Sequence, residues 1–129
     1  MRRLPLAFSC VAAAAALAAL AYADGDQELF TSPEAIAAAK QGKVLPSGTV
    51  ITLVDYGDGK HFRHVVMEKR AGWCSEYPPE KRTGEWELQA FDADRAVDRA
   101  ENLDRCFSCH KAQAANDFVF TRSRIKDAG

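Results

Sequence analysis

One short stretch of the chain concentrates its reactive side chains: Cys106-Phe107-Ser108-Cys109-His110. Two thiols three residues apart on a helix lie on one face. They can meet the two vinyl groups on one edge of a porphyrin and form thioethers, after which the adjacent imidazole can bind iron from one side. A CxxCH run is the attachment signature of haem c, and neutral imidazole suits an axial position. Three other chemistries compete for these residues. A zinc half-site needs two further ligands, and the candidates outside the motif are Cys74, His61 and His64. A thioredoxin-like redox pair needs a βαβ context, which does not precede the motif. A plain disulfide has no use for His110. One motif implies one covalent haem c, with Cys106, Cys109 and His110 binding the cofactor and His110 as the metal ligand.

The motif lies near the C-terminal end, so any sixth ligand must come from upstream. Met67 is the one methionine besides Met1, and His61 and His64 are the other candidates. In an extended segment Val65, Met67 and Lys69 share one face, and His64, Val66 and Glu68 the other. Met67 reads first as a core side chain. His61 and His64 flank Arg63 beside a polar turn and read as solvated.

Around these residues stands an ordinary globular composition: 129 residues, 27% charged, 47% hydrophobic, net charge −1. It excludes a disordered or collagen-like chain. The near-neutral balance argues against nucleic acid as a partner. Met1-Arg2-Arg3, the apolar run from Leu4 to Ala21, and Ala21-Tyr22-Ala23 before Asp24 follow the order of a secretory signal. The Ala-rich run is weakly apolar and short of the roughly 20 residues of a membrane span. A lipoprotein reading on Cys10 is disfavoured, because few apolar residues precede it. Residues 1–23 are therefore expected to be cleaved off after Ala23, leaving 24–129 as a single domain in the periplasm. Cleavage removes Arg2, Arg3 and Cys10, so the mature chain is more acidic and keeps Cys74, Cys106 and Cys109. Export places these cysteines in an oxidising compartment, and it favours haem c over the competing chemistries because c-type haem is attached after export.

The elements that must position the motif read as α+β. Ser32-Pro33-Glu34 opens a helix that runs through Lys40 and stops at Gly42. Pro46-Ser47-Gly48 is a turn. Thr49–Val54 and Phe62–Lys69 are β-rich and pair as an antiparallel hairpin across a long turn, Asp55–Lys60. Residues 70–84 form a loop. Glu85–Phe91 alternates, burying Trp86, Leu88 and Ala90 and leaving the carboxylates and amide outside. Asp92–Ala115 is helix-prone with a break near Asn102. Asp117–Thr121 is extended, and Arg122–Gly129 is a frayed tail. The expected fold is a mainly antiparallel sheet with flanking helices, the haem attached through a C-terminal CxxCH helix.

The stretch from Leu45 to Thr121 resembles the cytochrome P-460 family. The likeness is carried by Leu45-Pro46-Ser47-Gly48-Thr49-Val50, by Val66-Met67-Glu68-Lys69-Arg70-Ala71-Gly72-Trp73, and by Gly84-Glu85-Trp86-Glu87-Leu88-Gln89-Ala90-Phe91. It ends in Cys106-Phe107-Ser108-Cys109-His110-Lys111 running on to Asp117-Phe118-Val119-Phe120-Thr121. The resemblance implies a haem c against an antiparallel sheet, with His110 proximal and an open sixth position. Members that oxidise hydroxylamine carry a lysine cross-linked to the haem and a distal carboxylate; the matching positions look like Leu53 and Val65. That departure implies the cytochrome c′-beta branch, with an apolar distal side lined by candidates Leu53, Val65 and Met67. Lys69 is a possible substitute cross-linker but reads as a solvated strand-end charge.

The expected protein is thus an exported mono-haem c-type cytochrome that binds a small diatomic ligand such as NO, passes electrons, or does both, with no catalytic residues assigned. The physics is consistent, because a proton-coupled oxidation wants a general base that an apolar wall cannot supply. The alternatives are a six-coordinate electron-transfer cytochrome using Met67 or a histidine, and a hydroxylamine-type oxidase with a lysine-linked haem. Cys74 reads as a partly exposed free thiol, with disulfide-linked homodimer formation second. Glu76, Glu80, Glu85 and Glu87 read as a solvated acidic surface that could dock a redox partner protein.

Overall fold

Hairpin turns and apolar alternation build a five-stranded antiparallel sheet with strand order β1-β2-β3-β4-β5. The computed structural model describes residues 18–129. The strands are β1 (Ala19–Ala23), β2 (Gln27–Thr31), β3 (Val50–Gly57), β4 (Lys60–Lys69) and β5 (Trp86–Asp92). Three α-helices accompany them among the described residues: α1 (Pro33–Lys40), α2 (Leu103–Lys111) and α3 (Arg122–Lys126). The fold is the expected α+β. None of these helices is long and apolar enough to cross a membrane. Most of the apolar segment assigned to the export signal, with Cys10, lies outside the described residues. Its last residues, Ala19–Ala23, form edge strand β1.

The sequence signals explain most of the elements. Ser32 caps α1, its Oγ accepting from the Ala35 N–H at 3.1 Å, with Pro33 at the first helical position. The β3–β4 connection is shorter than the expected Asp55–Lys60 turn. Asp58 and Gly59, at φ 52° and 75°, close it in two residues and leave Gly57 paired with Lys60. That is the left-handed pair whose twist matches its flanking strands.

A bulge in β4 then decides which side chains share a face. Asp55 pairs with Arg63 and Tyr56 with His61, so Phe62 is the unpaired extra residue. The inserted residue reverses the alternation. His61 therefore joins His64 on one face, their ring centroids 5.6 Å apart. Arg63, Val65, Met67 and Lys69 stay on the other. The histidines and Val65 thus point to opposite sides of the sheet. His64 is buried, not solvated, with Nδ1 3.3 Å from the Asp92 carbonyl.

The Met67 face carries the core. Ile51, Met67, Trp86 and Leu88 cluster there with Leu29, Ala35, Ala39, Leu45, Val119, Ile125 and Ala128. Burial of Ile125 and Ala128 makes the C-terminal segment a docked helix, α3, and not the expected frayed tail. The helix expected over Asp92–Ala115 is confined to α2. Asp92 instead terminates its strand with a side-chain cap, Oδ1 accepting from the Asp94 and Ala96 N–H groups. Asn102 opens α2 by accepting from the Asp104 N–H at 3.1 Å, where the helix break was expected.

The opposite face corrects the expected pattern of β5. Glu87 sits directly across from Glu68, and both are buried at 4% exposure, so Glu87 is not part of a solvated acidic surface. Arg70 pairs with Glu68 at 2.7 Å. Neither oxygen of Glu87 makes a well-formed hydrogen bond, although the nearby Tyr77 hydroxyl partly favours its charged form. Burial, with Glu76 and Glu68 nearby, pushes the Glu87 carboxyl above its ordinary range. The folded state therefore holds this proton more tightly than the unfolded chain. Stability must fall as pH rises from the ordinary glutamate range through the raised folded value. Glu87→Gln keeps the shape and removes the charge. It is expected to stabilise the fold at neutral pH by about 1–3 kcal/mol, the scale of an unsatisfied buried group, with little effect at acidic pH. Urea unfolding at both pH values checks this; an equal change at the two would refute it.

Candidate functional site

Helix α2 presents the motif. Cys106, Cys109 and His110 stand at i, i+3 and i+4, so they share one face. Cys106 and Phe107 are partly buried against the core, whereas Cys109 is exposed. Both cysteines are free thiols. Burial, then the charge of Glu101, pushes the Cys106 thiol up, which keeps it protonated. Lys111 tethers the end of the helix to the loop before β5, its Nζ donating to the Glu80 carbonyl at 3.3 Å. Tyr77 from that loop packs on Phe107, centroids 5.8 Å apart.

His110 is oriented by a backbone carbonyl. Its Nδ1 lies 2.7 Å from the Phe118 oxygen. A carbonyl only accepts, so Nδ1 carries the proton and Nε2 keeps the lone pair needed for a metal. Burial pulls the imidazole below the ordinary histidine range, partly opposed by the Phe118 carbonyl. The neutral ring is thereby favoured, which is the ligating form. Phe120 supports it edge-on at 4.9 Å between centroids.

Phe118 can offer that carbonyl because the expected extended run Asp117–Thr121 is not extended. Asp117 and Phe118 both adopt left-handed backbone, at φ 54° and 61°. No propensity announces this for phenylalanine. The Asp-Phe-Val-Phe-Thr run was a visible sequence feature, but its geometry was not legible. Asp117 is also a hub that sequence reading missed. It accepts from the Leu45 N–H at 2.9 Å, from Lys69 Nζ at 2.9 and 3.0 Å, and from Trp86 Nε1 at 3.4 Å.

The distal candidates come together on the core face. Leu53 lies directly opposite Val65, Leu29 opposite Leu53, and Ala90 opposite Val65. Four strands thus contribute one continuous apolar row. Leu53 and Val65 are its partly exposed members. Met67 is at 6% exposure within the core cluster, opposite Ile51 and Leu88. Lys69 is not the expected solvated charge: it is 11% exposed, salt-bridged to Asp117 and 5.4 Å over the Trp86 ring. Cys74 is half-buried and free.

Two thiols and an oriented imidazole on one helix, beside an apolar sheet face, fit a haem and its axial ligand. The family model for Cytochrome P460 matches residues 13–121, and the chain belongs to that family. Its cofactor is accordingly a haem, and its class that of the c-type cytochromes. None of the curated proteins matches the chain.

Proposed function

We propose that this protein is an exported mono-haem c-type cytochrome that binds a small uncharged ligand such as NO against an apolar distal wall. Cys106 and Cys109 would hold one haem through thioethers and His110 would ligate its iron from the proximal side. When bound, the haem supplies the iron centre for ligand binding and one-electron chemistry. The remaining work belongs to the chain. Phe118 fixes the His110 tautomer, and the sheet excludes water and anions from the other side.

The observation that carries this reading is the row Leu29–Leu53–Val65–Ala90. At the positions where hydroxylamine-oxidising relatives would carry a lysine and a carboxylate stand two apolar side chains facing one another. Lys69, the substitute cross-linker, already has both Asp117 oxygens on its amine. Distal polarity governs what a haem pocket admits, and this wall favours an uncharged diatomic. Electron exchange with a partner protein belongs to the same proposal.

Purified mature protein tests this directly. The intact mass is expected to equal residues 24–129 plus one haem, and the ferrous spectrum to change on adding NO. A low-spin ferrous spectrum indifferent to NO would exclude the open site. An additional haem link to Lys69 or another lysine would instead support the oxidase reading.

A further inference from the structure

We propose that the buried Lys69–Asp117 ion pair is the positioning device for His110, acting through the backbone it holds; this rests on His110 being the iron ligand. The feature to explain is two successive left-handed residues without glycine, Asp117 and Phe118. Such backbone persists only where its surroundings over-determine it. Here they do so from three directions. Asp117 is anchored by the Leu45 N–H, Lys69 Nζ and Trp86 Nε1. The Phe118 N–H donates to the Gln113 carbonyl at 2.8 Å. The Phe118 ring lies so close to Gly84 that a Cβ there would sit 2.7 Å from Cε2.

The outcome of this bracing is one carbonyl aimed at one nitrogen, Phe118 O at 2.7 Å from His110 Nδ1. Hydrogen bonding at the far nitrogen of a metal-bound imidazole sets ring orientation and raises its donor strength. A buried ion pair is a poor way to gain stability, because desolvation offsets the attraction. Specifying this turn gives the pair a function that stability alone does not. Lys69 and Asp117 are therefore positioning residues, not ligands.

The test uses the holo-protein and two readouts, the iron–histidine stretching band of the ferrous form and the reduction potential. Lys69→Met/Asp117→Asn removes both charges together, so neither is left buried without its partner, and the asparagine oxygen still accepts from the Leu45 N–H; the single Asp117→Asn accompanies it, and circular dichroism checks that both are folded. Both are expected to lower and broaden the band and to raise the potential, since a weaker imidazole donor favours the ferrous state. Lys69→Arg, which keeps the ion pair, is expected to retain the parent band. Ile125→Val, a core change on α3, is expected to lower stability without moving the band. An unshifted band and potential in the first two variants would overturn the proposal. So would an equal shift in Ile125→Val. A parent protein with no such band would overturn it by a distinguishable route, removing the assignment of His110 itself.

Discussion

His110→Gly is expected to abolish the iron–histidine stretching band of the ferrous protein, and imidazole added to solution is expected to restore it. The size of the effect follows from the geometry of the sheet. The chain has three histidines. The bulge at Phe62 puts His61 beside His64, on the face opposite Val65 and Met67. Neither can replace a ligand supplied by α2. The Phe118 carbonyl loses its donor, but it is a backbone group and the cavity left by the ring can take a free imidazole in its place. Resonance Raman spectroscopy of the variant, with and without imidazole, decides the matter. A band that survives the substitution without imidazole would mean that another residue ligates the iron.

Trp86→Ala is expected to cost about 3–5 kcal/mol of stability, the range for removing a large buried aromatic. Set against a total of roughly 5–15 kcal/mol for a typical domain, that is a large share of the whole. Trp86 is 2% exposed and among the largest fully buried side chains. It fills the sheet face between β4 and the C-terminal segment, carries Lys69 over its ring and donates from Nε1 to Asp117. Its loss leaves a cavity and also loosens the turn behind His110. Trp86→Phe keeps most of the apolar contact and loses the N–H, so a smaller loss is expected. Urea unfolding followed by circular dichroism measures both. A cost below about 1 kcal/mol for the alanine variant would contradict the role assigned here.

The same pair of residues shows how far local patterns reach. The period of two in Glu85–Phe91 placed Trp86, Leu88 and Ala90 on the core side, as observed, because alternation is a property of the strand itself. It failed for Glu87, because burial of the other face depends on what covers it. Lys69 at a strand end looked like a solvated charge, and its burial depends on Asp117, 48 residues away. The C-terminal segment looked polar enough to fray, yet Ile125 and Ala128 dock it beside α1. The turn at Asp58-Gly59 was visible as a turn, while its length was set by pairing that a local reading cannot count.

The α+β class was legible in local patterns, and the CxxCH run pointed to a haem, the cofactor of the family to which the chain belongs. A CxxCH spacing matches the edge of a porphyrin on any helix that carries it, and capping residues and alternation act over a few positions. Which faces meet was settled by packing between distant segments. That packing turned His61 and His64 away from Val65 by a single bulged residue. It set Leu53 against Val65 through strand register. It bent Asp117 and Phe118 into a left-handed pair that aims a carbonyl at His110. Those outcomes depend on contacts between residues far apart in the chain, and such contacts exist only once the sheet and helices have packed.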